Sequence, residues 1–184
     1  MCSICDLKID FKVDHPLALT VAVATREAID AGRLPEKIFD GALASAKLRV
    51  AAIDALKALQ RRLEDSIPVE ELMALPDFYV LLIEVGTWGF FHATEAGFDP
   101  DCSPEPPVVT AEKQEDRDVV FVATESVMQA VLEGRISFAS AVDDRLIVLD
   151  AGAAHAGALF SAFEGCGSDG GRSSGFLLHA RARV

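Results

Sequence analysis

Apolar residues recur at three- and four-residue steps through the first third of the chain. Leu17, Val21, Ala24 and Ala28 make one such stripe, which predicts a helix over residues 17–31. Gly32 is placed to stop it, and Pro35 suits the start of the next helix. Residues 38–63 carry the longest helical period. Phe39, Leu43, Ala46, Val50, Ile53, Leu56, Leu59 and Leu63 form a drifting apolar stripe. Asp40, Lys47, Asp54 and Arg61 recur every seven residues on another face. Packing inside the same chain is the expected use of the stripe. A helix-mediated homodimer is the alternative, because the pattern lasts fewer than four heptads.

Ser66, Pro68 and Pro76 then punctuate the chain, and the period changes. FYVLLIEV (78–85) and WGFFHAT (88–94) are rich in aromatic and β-branched residues and poor in alanine, which predicts a strand pair. A buried helix over residues 77–94 is the alternative, since periodicity does not separate the two for short apolar runs. Residues 99–118 are polar, with Pro100, Pro104, Pro106 and Pro107 and seven acidic residues against Lys113 and Arg117. They predict a solvated loop, with Val108 and Val109 as its only strand-like pair. VVFVA (119–123) predicts a strand. Thr124 is placed to cap a helix over 125–132 that Gly134 ends, and Ser137 to cap another over 138–142. A strand over 146–149 and a helix over 153–163 follow. The expected fold is α+β. It has an N-terminal helical segment (1–67), a small antiparallel sheet with short packing helices (68–164), and a flexible Gly/Ser-rich tail (165–184). A mostly α fold is the alternative.

Composition narrows the function. With 184 residues, one domain or one domain and a small second unit is expected. Net charge is −12, from 17 basic and 29 acidic residues. That excludes a general nucleic-acid binder and opposes attraction to an anionic membrane surface. No apolar run is long enough for a membrane span, and the first residues lack the features of a signal peptide. The expectation is a cytoplasmic protein with reduced thiols.

Candidate chemistry is sparse. Cys2-Ser3-Ile4-Cys5 has the spacing to present two thiolates to one metal ion, zinc being the metal that suits it. His15 is the nearest further ligand in sequence, and His92, Cys102 and Cys166 are more distant ones. A metal- or redox-responsive accessory protein is therefore one alternative function. Gly165 to Gly170 spells G-x-G-x-x-G, but no strand–turn–helix unit surrounds it, so the dinucleotide reading fails. The four histidines do not gather, and no G-x-S-x-G elbow, P-loop or H-E-x-x-H is present. Enzymatic activity has no residue constellation behind it.

One stretch carries a family likeness. DVVFVATESVMQAVLEGRISFASAVDDRLIVLDAGAAHAGALFSAF lies within residues 117–163. It resembles the C-terminal half of the sterol carrier protein type two domain. Gly134-Arg135 sits at that family's glycine-basic turn, Ser137, Ala139 and Ala141 match its small-residue helix, and LIVL (146–149) matches its following strand. Asp143-Asp144-Arg145 and Asp150-Ala151-Gly152 depart from its glycine pattern. Counted with residues 78–85, 88–94 and the weaker 108–111, a five-stranded antiparallel sheet is expected. The resemblance implies an apolar tunnel for a fatty acyl or sterol-like ligand and no chemistry. Phe121, Met128, Leu132, Phe138, Leu159, Phe160 and Phe163 are the residues that would line it, unless they simply fill a core.

Overall fold

Two apolar runs, FYVLLI and VVFVA, lie side by side at the centre of the molecule. The structure is a computed structural model that describes residues 15–38, 40–99 and 105–167. Helix α1 (Ala18–Asp30), the long α2 (Ala44–Ser66) and the short α3 (Val69–Met73) come first. Strands β1 (Phe78–Leu82) and β2 (Thr87–Phe91) follow, and then the two-residue strands β3 (Ala93–Thr94) and β4 (Gly97–Phe98). After a non-regular crossing the chain forms β5 (Val120–Ala123), α4 (Glu125–Leu132), α5 (Phe138–Asp143), β6 (Ile147–Asp150) and α6 (Ala153–Gly167). The α+β class expected from the sequence is the one observed.

The strand pair over residues 78–94 is a hairpin, with Phe78 opposite Phe91 and Leu82 opposite Thr87. The sheet as a whole is mixed rather than antiparallel. Its order is β2-β1-β5-β6. β1 runs parallel to β5, with Tyr79 beside Val120 and Leu82 beside Ala123, whereas β5 and β6 are antiparallel. The reason lies in the connection: the long crossing between β4 and β5 returns the chain to the start of β1, as a parallel neighbour requires. Residues 105–111 form no strand. Instead Val109 is buried, and the crossing is clamped where Asp118 accepts the Val108 N–H at 2.7 Å and returns its own N–H to the Val108 carbonyl at 3.0 Å.

Because β1 and β5 are central, their residues are buried on both faces. Such strands read as continuous apolar runs. One face presents Tyr79, Leu81, Ile83, Val120 and Val122, and α1 covers it with Ala18, Val21 and Ala22. The other presents Phe78, Val80, Leu82, Phe121 and Ala123 and packs against α2, α4, α5 and α6. The helices of the first 67 residues thus share their core with the later strands.

The predicted stop signals act as expected. α1 and α4 end in the same hydrogen-bonded motif. Gly32 and Gly134, both at φ +70°, donate to Ile29 and Val131, and Arg33 and Arg135 donate back to Ala28 and Ala130. The N-caps also form: Thr124 accepts the Val127 N–H and Ser137 the Ser140 N–H. α2 starts at Ala44, later than the apolar period suggested, and α6 continues to Gly167, past the expected break. Residues 168–184 of the expected tail lie outside the described residues.

A Cβ at Gly134 would meet no neighbouring atom, so Gly134→Ala isolates the cost of a left-handed backbone. We expect a loss of about 1 kcal/mol, read as a lower urea midpoint at unchanged slope.

Candidate functional site

The seven residues expected to line a tunnel come together, but as a packed cluster. Phe121, Met128, Phe138, Leu159 and Phe163 are buried, and Leu132 and Phe160 are half-buried against them. Phe121 stacks on Phe163 at 4.2 Å between ring centroids, and Phe138 lies 5.1 Å from Phe163 and 5.3 Å from Phe160. Phe78 closes the group from β1, 5.6 Å from Phe121. Rings at these separations are in contact.

An open groove lies beside this cluster. It holds about 380 Å³ between the end of α2, the α3 segment and α6. Ser66, Ile67, Glu71, Ala74 and Leu75 form one wall, and Ala158, Ser161, Ala162 and Gly165 form the other. The α6 wall is a stripe of small residues at helical spacing, next to the buried stripe of Leu159 and Phe163. Small side chains keep the helix surface low, and this leaves the space. None of the seven expected residues lines this groove. Its own lining was visible in the sequence only as the alanine- and glycine-rich composition of residues 153–165.

A second feature went unread in the sequence, although Glu84 is the one charge interrupting the apolar run 78–91. The turn after β1, with Gly86 at φ +58°, folds Glu84 back to the start of α4. Its Oε1 accepts the Glu125 N–H at 2.7 Å, while Oε2 is buried without a hydrogen-bond partner. Burial pushes the Glu84 carboxyl up to about 7, and the neighbouring Glu125 adds to the rise, while the backbone N–H groups pull it down. Glu125 is itself buried and is paired with Lys37 Nζ at 2.8 Å. Thr124 touches Thr25 of α1 at 3.4 Å and Ser126 at 3.3 Å. A carboxyl with this titration range could exchange a proton near neutrality. Its seating on α4's first N–H groups makes it a helix cap buried in the fold.

The histidines divide. His15 is buried at the start of α1, where Nδ1 accepts the Leu17 N–H at 3.2 Å and Nε2 faces Asp150 at 3.5 Å. Asp150 also meets Arg117 at 3.5 Å and Gln114 at 3.3 Å. Burial lowers the His15 pKa, Asp150 opposes the shift, and Arg117 adds to it. Nδ1 is thus satisfied within the chain, whereas Nε2 is buried near the Asp150 carboxylate without a hydrogen bond. Cys2, Cys5 and Cys102 lie outside the described residues, and among the described residues no group of three or more His, Cys, Asp or Glu side chains is arranged to hold a metal. His92 is half-buried in the link after β2, its Nδ1 2.8 Å from Asp77.

Comparison of the chain with protein-family models, curated proteins and solved structures finds no match. Among the described residues no helix is long and apolar enough to cross a membrane.

Glu84 and His15 push the pH dependence of stability in opposite directions. A raised carboxyl binds its proton more tightly in the folded state, so its contribution is complete below about pH 4.5 and is lost as pH rises towards 7. The lowered His15 contributes above its ordinary range and loses that contribution as pH falls. Glu84→Gln removes only the first effect. Denaturant titrations at pH 5 and pH 8 should show the variant gaining up to about 3 kcal/mol over the wild type across that interval.

Proposed function

We propose that this protein binds an apolar small molecule, such as a fatty acyl chain or a compact ring system, and carries it without changing it chemically. The observation behind this reading is the groove of about 380 Å³ between the end of α2, the α3 segment and α6. Its size is at the lower end of ligand sites, about 300–1,000 Å³, and suits one chain or ring system rather than a whole two-chain lipid. Ile67, Leu75, Ala74, Ala158 and Ala162 offer apolar contact, and Ser66, Ser161 and Glu71 supply the few polar anchors such a site needs. The likeness of residues 117–163 to sterol-carrier-like domains supports the same ligand class. In this reading Phe121, Met128, Leu132 and Phe138 pack against Leu159, Phe160 and Phe163 of α6 and hold that helix rigid, and the groove beside them takes the ligand. The net charge of −12 favours a neutral or cationic ligand over a polyanion and gives nucleic acid no purchase.

Ala158 is exposed on the groove wall, so Ala158→Trp should fill the groove without disturbing the core. A dansylated fatty-acid probe should bind the wild type with micromolar affinity. The variant should bind at least about tenfold more weakly, a difference near 1.4 kcal/mol, with an unchanged melting temperature. No saturable binding across several chain lengths would overturn the carrier reading.

A further inference from the structure

We propose that two copies of this chain associate through the outward face of α2, antiparallel, about a two-fold axis that passes between Val50 and Ala51. α2 is apolar on two opposite sides. Ala52, Ala55, Leu56, Leu59 and Leu63 face the core of their own chain. On the far side Leu43 is 66% exposed, Val50 58% and Ile53 39%. A helix that serves one core needs one apolar stripe, and its opposite face is ordinarily polar. Ala46 and Ala51 beside Val50 leave a shallow hollow of about 370 Å³, edged by Leu43, Lys47 and Asp54. This is a place for apolar side chains of a partner helix.

The charges on the same face identify the partner. Lys47, Asp54 and Arg61 follow one another at seven-residue steps with alternating sign, and all three are exposed. In an antiparallel pair with its axis between Val50 and Ala51, Lys47 of each copy faces Asp54 of the other, so two ion pairs flank the apolar centre. An axis at Lys47 sets Lys47 against its own copy. An axis at Asp54 sets Asp54 against its own copy and Lys47 against Arg61. Moving the axis between Asp54 and Arg61 restores opposite charges but carries Leu43 out of the overlap and sets Val50 at its edge against Asp65. Only the first register satisfies charge and burial together. A two-fold pair is also the commonest closed assembly, because a single patch then serves both partners. Pairs at a rim of this kind select register more than they add affinity.

The test is sedimentation velocity on the full chain. The weight-average mass should rise towards twice the monomer's between about 5 and 200 µM, as expected of an interface near the lower size limit. Val50→Glu should abolish the rise. Lys47→Asp and Asp54→Lys should each weaken association at least about tenfold, and the double reversal should restore it to within about threefold. Circular dichroism of each variant should match the wild type, since all three side chains are exposed. A full chain that stays monomeric to about 200 µM would overturn the proposal, whether its first fourteen residues or nothing at all covers the face. A dimer indifferent to Val50→Glu would overturn it equally. Stronger association in Lys47→Asp would set position 47 against Arg61 of the other copy and refute the register.

Discussion

The parallel pairing of β1 with β5 governs the rest of the molecule. Both strands are apolar on both faces, so neither face of the sheet can be left to water. α1 covers one side and α2, α4, α5 and α6 cover the other. The polar clusters follow from the same arrangement. Where β1 and β5 leave the sheet together, the first N–H groups of α4 need acceptors, and Glu84 and Thr124 supply them. Where the chain re-enters at β5 and leaves at β6, Asp150 gathers His15, Arg117 and Gln114. Charged and polar side chains inside the fold are thus concentrated at the two ends of its central strands.

Signals whose physics is local are legible in the sequence. Gly32 and Gly134 adopt a backbone that other residues resist, and Thr124 and Ser137 accept the N–H groups that a helix start exposes. The hairpin was legible from aromatic and β-branched content. Strand direction was not, because it depends on where the crossing between β4 and β5 leads, and no residue in 99–118 encodes that alone. One clue was available. Unbroken apolar runs such as FYVLLI and VVFVA mark strands covered on both sides, which is characteristic of parallel neighbours. The candidate site was less legible. Phe121, Phe138 and Phe163 lie together, yet proximity does not distinguish a wall from a filling, and these rings touch one another. The groove depends on what is small, Ala158, Ala162 and Gly165, and small residues carry little signal. Glu84 was readable as an anomaly in a greasy run, but its partner lies 41 positions away.

α2 links the two functional readings. Its last residues form part of the groove wall, and its first half presents the outward apolar face. The helix is long enough to separate these roles along its 23 residues. The groove draws only Ser66 from α2 and the outward hollow draws residues between Leu43 and Asp54, so the two surfaces share no residue.

The placement of β5 has a consequence for how the chain is made. During synthesis the β1–β2 hairpin emerges well before the strand that must shield its inner edge, since Tyr79 waits for Val120. Until then a row of unpaired backbone groups stands beside Phe78, Val80 and Leu82, an adhesive margin to which any extended neighbouring polypeptide can add. Nascent chains of this protein therefore pass through an interval of vulnerability set by ribosome speed, and slowing translation between residues 92 and 119 lengthens it.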